Sequence, residues 1–230
     1  MFLGHFGIAF AAKKAAPQVS LGTLFLAAQF IDLLWPTLLL LGLERVQIAP
    51  GNTHTPLEFE HYPISHSLVA AIIWGILLGL AYLLICRRQN ARGRAALIIV
   101  GLVISHWLLD ALVHRPDLPL YPGSHSMIGL GLWHSLSLTL AVEIPLFTTG
   151  IWLYARSTVA NDTIGDGALW ALVAILVLIY CANLFGNPLP SRQTVAWVGE
   201  LQCLLVALAY WIDPHRRPLL DPLLETDSLY

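Results

Sequence analysis

Residues 167–191 read GALWALVAILVLIYCANLFGNPLPS, from Gly167 to Ser191, without one charged side chain. About 20 apolar residues in helical form cross the hydrocarbon core of a bilayer, so this run suffices for a span. The rest of the chain agrees with it. Of 230 residues, 57% are hydrophobic and only 11% charged, and the mean hydropathy is +0.70. Soluble domains carry roughly 25% charged residues. The composition therefore specifies an integral membrane protein.

Polar punctuation at Ala49–Thr53, Arg87–Asn90, Arg115–Asp117, Asn161–Asp162 and Gly186–Pro188 divides the apolar sequence. Backbone polar groups in hydrocarbon must be bonded within the segment. The expected fold is therefore all-α, a polytopic helix bundle. Six spans fall near residues 20–43, 66–86, 95–115, 133–155, 167–186 and 194–213. A short N-terminal helix over residues 2–15 is expected to be partly inserted. Its lysines, Lys13 and Lys14, follow the apolar stretch, the reverse of a cleavable signal. Residues 1–213 form a single membrane domain, and residues 214–230 a short tail.

Charge asymmetry sets the expected orientation. Lys13, Lys14, Arg87, Arg88, Arg92, Arg94, Arg156, Arg216 and Arg217 share one side if the six spans alternate. Only Arg45, Arg115 and Arg192 take the other. The richer side is cytoplasmic by the positive-inside rule, which puts the N-terminal lysines and the C-terminus in the cytoplasm of a bacterium's inner membrane. The net charge of −2 offers nothing to nucleic acid. Cys86, Cys181 and Cys203 are scattered and odd in number, unlike a disulfide framework or thiolate metal site. They read as small packing residues. The stripe Gly75-x-x-x-Gly79 reads as close helix packing within the subunit. Oligomeric state has no signature.

Chemistry concentrates in the helix containing Ser105–His114, where His106, Asp110 and His114 recur every four residues. Residues at i, i+4 and i+8 share a helical face. Ionisable groups at membrane depth are costly and usually face a cavity, a partner or an ion. A second group, His61-Tyr-Pro-Ile-Ser-His66-Ser67, puts His61 on a loop that Pro63 keeps from being helical. His66 then enters the first turn of the following span. His5, eight residues from Lys13, lies roughly 12 Å deeper, and Asp32 and Glu143 lie near mid-span. His54, His61, His66, His114, His125 and His134 fall on or near the outer face.

Imidazole and carboxylate without thiolate suit Zn²⁺, and also Mn²⁺ or Fe²⁺. Such an ion can activate water. A carboxylate outside the ligand set, Asp117 or Glu143, could move the proton. The competing readings are structural. His106 with Asp110 can be a buried interhelical hydrogen bond, and His5 with Asp32 a tie between helices. Glu143, two residues before Pro145, can answer a freed backbone amide.

His61-x-x-x-Ser65-His66-Ser67 resembles the His-Arg-Gly-x-Thr-His-Ser signature of bacterial membrane-bound, metal-dependent hydrolases, a family that includes an SOS-regulated inner-membrane protein. Gly101-x-x-x-Ser105-His106-x-x-x-Asp110 is similar to its Gly-x-x-x-Ser-His-x-x-x-Asp helix. Gly4-His5 resembles its N-terminal Thr-His, and Asp32 its Pro-Asp-x-Asp element. The likeness covers the first half of the chain. It implies a divalent metal held by His61, His66, His106 and Asp110, joined by His5 and Asp32. Two departures matter: Tyr62-Pro63 replaces Arg-Gly, and only one of two acidic positions survives at Asp32. The lost arginine weakens a phosphoesterase and a full dinuclear site. A more distant likeness to zinc-dependent phospholipases C points to lipid substrates.

The function expected is a metal-dependent hydrolase whose metal-bound water attacks an ester, amide or phosphoester of an amphiphilic substrate at the outer face. The alternatives are a proton- or metal-coupled transporter and a non-catalytic scaffold with a structural metal site.

Overall fold

Among the residues described by the computed structural model, 1–49, 55–88 and 91–219, six helical stretches are long and apolar enough to cross a membrane. Residues 50–54 (His54 among them), Gln89 and Asn90, and positions 220–230 lie outside the described residues. The helices are α1 (Leu3–Ala15), α2 (Leu21–Leu40), α3 (Pro63–His66), α4 (Leu68–Ile85), α5 (Arg92–Val113), α6 (Leu136–Ser157), α7 (Thr163–Phe185), α8 (Arg192–Glu200) and α9 (Gln202–Ile212). Three short antiparallel ribbons join them. They are β1 (Arg45–Ile48) with β2 (Leu57–His61), β3 (Leu118–Pro119) with β4 (Met127–Ile128), and β5 (Thr158–Ala160) with β6 (Arg216–Pro218).

Side-chain caps fix where the spans begin. Ser20, Ser67, Ser135, Asp162 and Ser191 each accept a bond from the amide three residues on, at the starts of α2, α4, α6, α7 and α8. Each satisfies a donor that would otherwise enter the bilayer unpaired. Two boundaries differ from expectation. Ser67 is extended, so His66 sits in the separate turn α3 and the span starts only at Leu68. The last span is broken at Leu201, where the amide of Leu201 turns back to Val198 O at 3.2 Å. Gly199 lies beside this break, and any side chain there would strike Pro36 of α2.

α1 determines the interior. Its 13 residues reach about 20 Å at 1.5 Å per residue, short of a hydrocarbon core of about 30 Å. Yet Leu3, Phe6, Ala9 and Phe10 are buried. Phe6 and Phe10 meet Phe25 at ring separations of 4.9 and 5.0 Å, and Phe10 meets Tyr154 at 5.2 Å. The helix is an insert about two-thirds of a span long inside the bundle. Its backbone touches α6 at Gly7 and Gly150, where a Cβ on either would collide with the opposite main chain. α4 and α5 approach in the same manner. A Cβ on Gly75 would come within 3.1 Å of Val100 O, and one on Gly79 within 3.2 Å of Ala96 O. The small-residue stripe thus packs within the subunit.

Two expectations need correcting. Cys181 and Cys203 are exposed rather than packed in the core. The start of the tail is docked: β6 pairs with β5, and buried Arg216 donates to Gly165 O at 3.0 Å and Asp166 at 2.8 Å.

Candidate metal centre

α5 presents His106 and Asp110 on one face, one turn apart, as their spacing requires. α1 brings His5, α2 brings Asp32 and α3 brings His66 to the same point. Asp110 is the hub. Its Oδ1 takes the Met1 amino group at 2.5 Å and lies 3.1 Å from His5 Nε2. Its Oδ2 lies 3.1 Å from His106 Nε2 and 3.8 Å from His66 Nε2. Asp32 Oδ1 lies 3.5 Å from His106 Nε2 and 3.4 Å from His66 Nε2. The His5 and His106 rings stack at 3.7 Å. Two overlapping trios, His66/His106/Asp110 and His5/Asp32/His106, each hold their ligand-type atoms within 4.8 Å of one another.

The hydrogen bonds behind the imidazoles decide what the front can do. His106 Nδ1 sits 2.7 Å from Ala28 O. A carbonyl only accepts, so Nδ1 carries the proton and Nε2 of the neutral ring is bare. That buried Nε2 has no hydrogen-bond partner, although two carboxylates stand within ion-pair reach. A lone pair facing two anionic oxygens is repulsive unless a proton or a cation lies between them. The spacing suits a cation. Ligands about 2.0–2.1 Å from a tetrahedral ion stand roughly 3.3 Å apart, and the four His–Asp separations across this face run 3.1, 3.4, 3.5 and 3.8 Å. The residues fit a divalent metal of zinc type. Access is on one side, because the Asp32 side chain is 25% exposed while those of His5, His66, His106 and Asp110 reach at most 3%.

The remaining candidates go elsewhere. His61 ends strand β2, exposed and opposite Arg45, so it does not join the cluster. The expected loop is a strand, and it carries His61 away from His66. Asp117 accepts Tyr62 Oη at 2.8 Å and pairs with His114 Nδ1 at 3.0 Å. Burial, with Asp117 alongside, pushes the Tyr62 phenol well above its usual value and keeps it a donor. His114 shares the α5 stripe in sequence, but the helix ends at Val113 and His114 is extended. It packs 4.2 Å from the Trp133 ring, buried rather than at a wet mouth. His125 and His134 are exposed. Glu143 is buried and accepts the amides of Phe2 at 3.0 Å and Gly4 at 3.3 Å. It caps α1 within the bundle, so the amides it answers are those of α1 and not one freed by Pro145.

One residue at this site has no counterpart in the sequence reading. Buried Glu44, just beyond α2, reaches Ser65 and the start of α3. Its signal was faint: a lone acid in a stretch whose only other acid is Asp32.

No curated protein and no solved structure matches the chain. A family model described as YdjM inner membrane protein matches residues 2–188. That match covers every element that carries His5, Asp32, His66, His106 and Asp110, and with it the chain belongs to the YdjM inner membrane protein family, as a multi-pass protein of that membrane.

Proposed function

We propose that the protein is a metal-dependent hydrolase, with His66, His106 and Asp110 as the principal ligands of a divalent ion. His5 and Asp32 complete the shell or hold a second ion. Zinc is the first choice, and manganese or iron would accept the same nitrogen and oxygen donors. The observation that supports this most is the His106 Nε2 without a hydrogen-bond partner, turned at membrane depth toward two carboxylates that share the Met1 amino group as counter-charge.

An ion there supplies Lewis acidity and lowers the pKa of water. The chain's own groups do the rest. Ala28 O holds the His106 ring in its ligand tautomer. Met1 and His5 hold Asp110 by its other oxygen. Asp32, the partly exposed member, is where a substrate group meets the cluster. Its place in an apolar bundle favours an amphiphilic ester, amide or phosphoester. Lysine and arginine bias puts the Lys13 end of α1 in the cytoplasm and the β1–β2 ribbon outside, so substrate enters from the outer leaflet.

A second reading has its own observation: a proton on His106 Nε2 also relieves the conflict with Asp32 and Asp110, as a proton-coupled transporter would need. Full-length protein in detergent separates them. A panel of lipid esters and phosphoesters is cleaved with zinc and stops with chelator if the hydrolase reading holds. Absence of cleavage, with pH change across proteoliposomes that is insensitive to chelator, would sink it.

A further inference from the structure

Glu44 stands behind His66 as Ala28 O stands behind His106, but it acts through a hydroxyl. Its Oε1 accepts the amides of Ile64 and Ser65, both at 2.8 Å. Its Oε2 lies 2.6 Å from Ser65 Oγ, and Ser65 Oγ lies 2.7 Å from His66 Nδ1. Glu44, Ser65 and His66 are all buried, so water does not compete for these bonds.

The direction of the chain follows from donor inventory. A carboxylate only accepts, and a serine hydroxyl has one hydrogen. Ser65 therefore donates to Glu44, since its other nearby acceptor, Tyr62 O, is at 3.5 Å. With its hydrogen spent, Ser65 Oγ can only accept from His66, so Nδ1 carries the imidazole proton. On the neutral ring Nε2 is then bare, and it faces Asp32 and Asp110. The same bookkeeping removes Ser65 as a nucleophile, because its proton goes to Glu44 and its lone pair to His66.

We propose that Glu44 is a positioning residue, which through Ser65 fixes His66 in the tautomer that binds a metal. The proposal rests on the metal reading above, and assigns to that site a residue outside its ligand set. Partners behind metal-binding histidines commonly set ring orientation and tautomer, and their loss costs about 10–100-fold in metal affinity.

Glu44→Gln is the discriminating variant. Its carbonyl oxygen can still accept the Ile64 and Ser65 amides, so the turn α3 keeps its cap. Its amide, however, donates to Ser65 Oγ, whose own hydrogen is then released to the nearer of its remaining acceptors, His66 Nδ1 at 2.7 Å rather than Tyr62 O at 3.5 Å. The result expected is a His66 ring protonated at Nε2, toward the cluster. Two measurements on the full chain in detergent read this: ¹⁵N NMR of the metal-free, ¹⁵N-histidine-labelled protein, with His66 assigned by its loss in His66→Gln, and Zn²⁺ affinity by chelator competition. Wild type gives a proton on Nδ1. Glu44→Gln moves it to Nε2 and weakens Zn²⁺ binding by about 10–100-fold, whereas Ser65→Thr, which keeps the hydroxyl, stays near wild type.

A wild-type His66 protonated at Nε2 overturns the proposal without any variant being needed. So does Glu44→Gln with unchanged tautomer and affinity. The metal reading fails separately, if Zn²⁺ affinity is unaffected by both His66→Gln and His106→Ala. The tautomer measurement tests Glu44 in that case too.

Discussion

α1 meets a polar cluster at each end, and the two clusters use the same side chains to opposite effect. At the Lys13 end, every named donor faces an acceptor. Lys13 Nζ donates to Val19 O at 2.7 Å and lies 3.2 Å from Asp213, which also takes the Leu21 amide at 2.8 Å. His215 bonds Asp162 at 2.7 Å, and that bond holds the Asp162 carboxyl below its usual value. Arg216 is bonded to Thr158, Gly165 and Asp166. At the Met1 end, the Met1 amino group and His5 Nε2 donate to Asp110 Oδ1, while the Nε2 atoms of His66 and His106, whose Nδ1 atoms are bonded elsewhere, face Asp32 and Asp110. A closed network of donors and acceptors locks helices together. The open face between those two imidazoles and the carboxylates closes around a proton or a cation. Lys13 and Arg216 close the first with fixed cations, whereas in the second two carboxylates share the Met1 amino group.

The contrast can be broken most severely at His106. His106→Ala should lower zinc affinity by more than the roughly 100-fold ceiling for residues that only support a ligand, read as metal content of purified protein. Full stoichiometry in that variant would erase the distinction between the two ends. Lys13→Ala should do the reverse. It removes a buried donor from Val19 O and should cost about 1–3 kcal/mol of stability, measured by thermal unfolding in detergent, while zinc stays at the wild-type level. Glu143→Gln keeps an acceptor for the Phe2 and Gly4 amides but loses the charge, for about 1 kcal/mol. Lipid-ester cleavage should persist; its loss with zinc retained would make Glu143 a proton carrier after all. The smallest effect belongs to His61→Ala, with stability within about 0.5 kcal/mol and zinc unchanged. A drop in zinc there would restore His61 to the ligand set.

The spans were legible because uncharged apolar runs bounded by Arg, Asn, Gly and Pro have one outcome in lipid. The short α1 was legible for the same reason, from its lysines and its length. His106 and Asp110 followed from helical spacing alone, and His66 from its place just past Pro63. What failed was what depends on the path of connections. His61 lies five residues from His66, but residues 57–61 pair with β1 and turn it to solvent. His114 continues the stripe on paper, yet the helix stops one residue short of it. The break at Leu201 answers to packing of Gly199 on Pro36, a contact between distant residues. Glu44 was invisible because nothing in its neighbours announces that it reaches 21 positions ahead to Ser65.

The seating of α1 also bears on how the protein is made. Phe2 and its capping carboxylate on Glu143 are 141 positions apart, and the Gly7 backbone needs Gly150 to rest upon. At roughly 5–20 residues per second, the ribosome delivers α6 on the order of ten seconds after α1. During that interval a segment too short to cross the bilayer has neither its lid of glycine nor its cap. Until α6 arrives the Gly7 face and the Phe2 and Gly4 amides stay without those partners, so the histidine that α1 carries gains its last support only then.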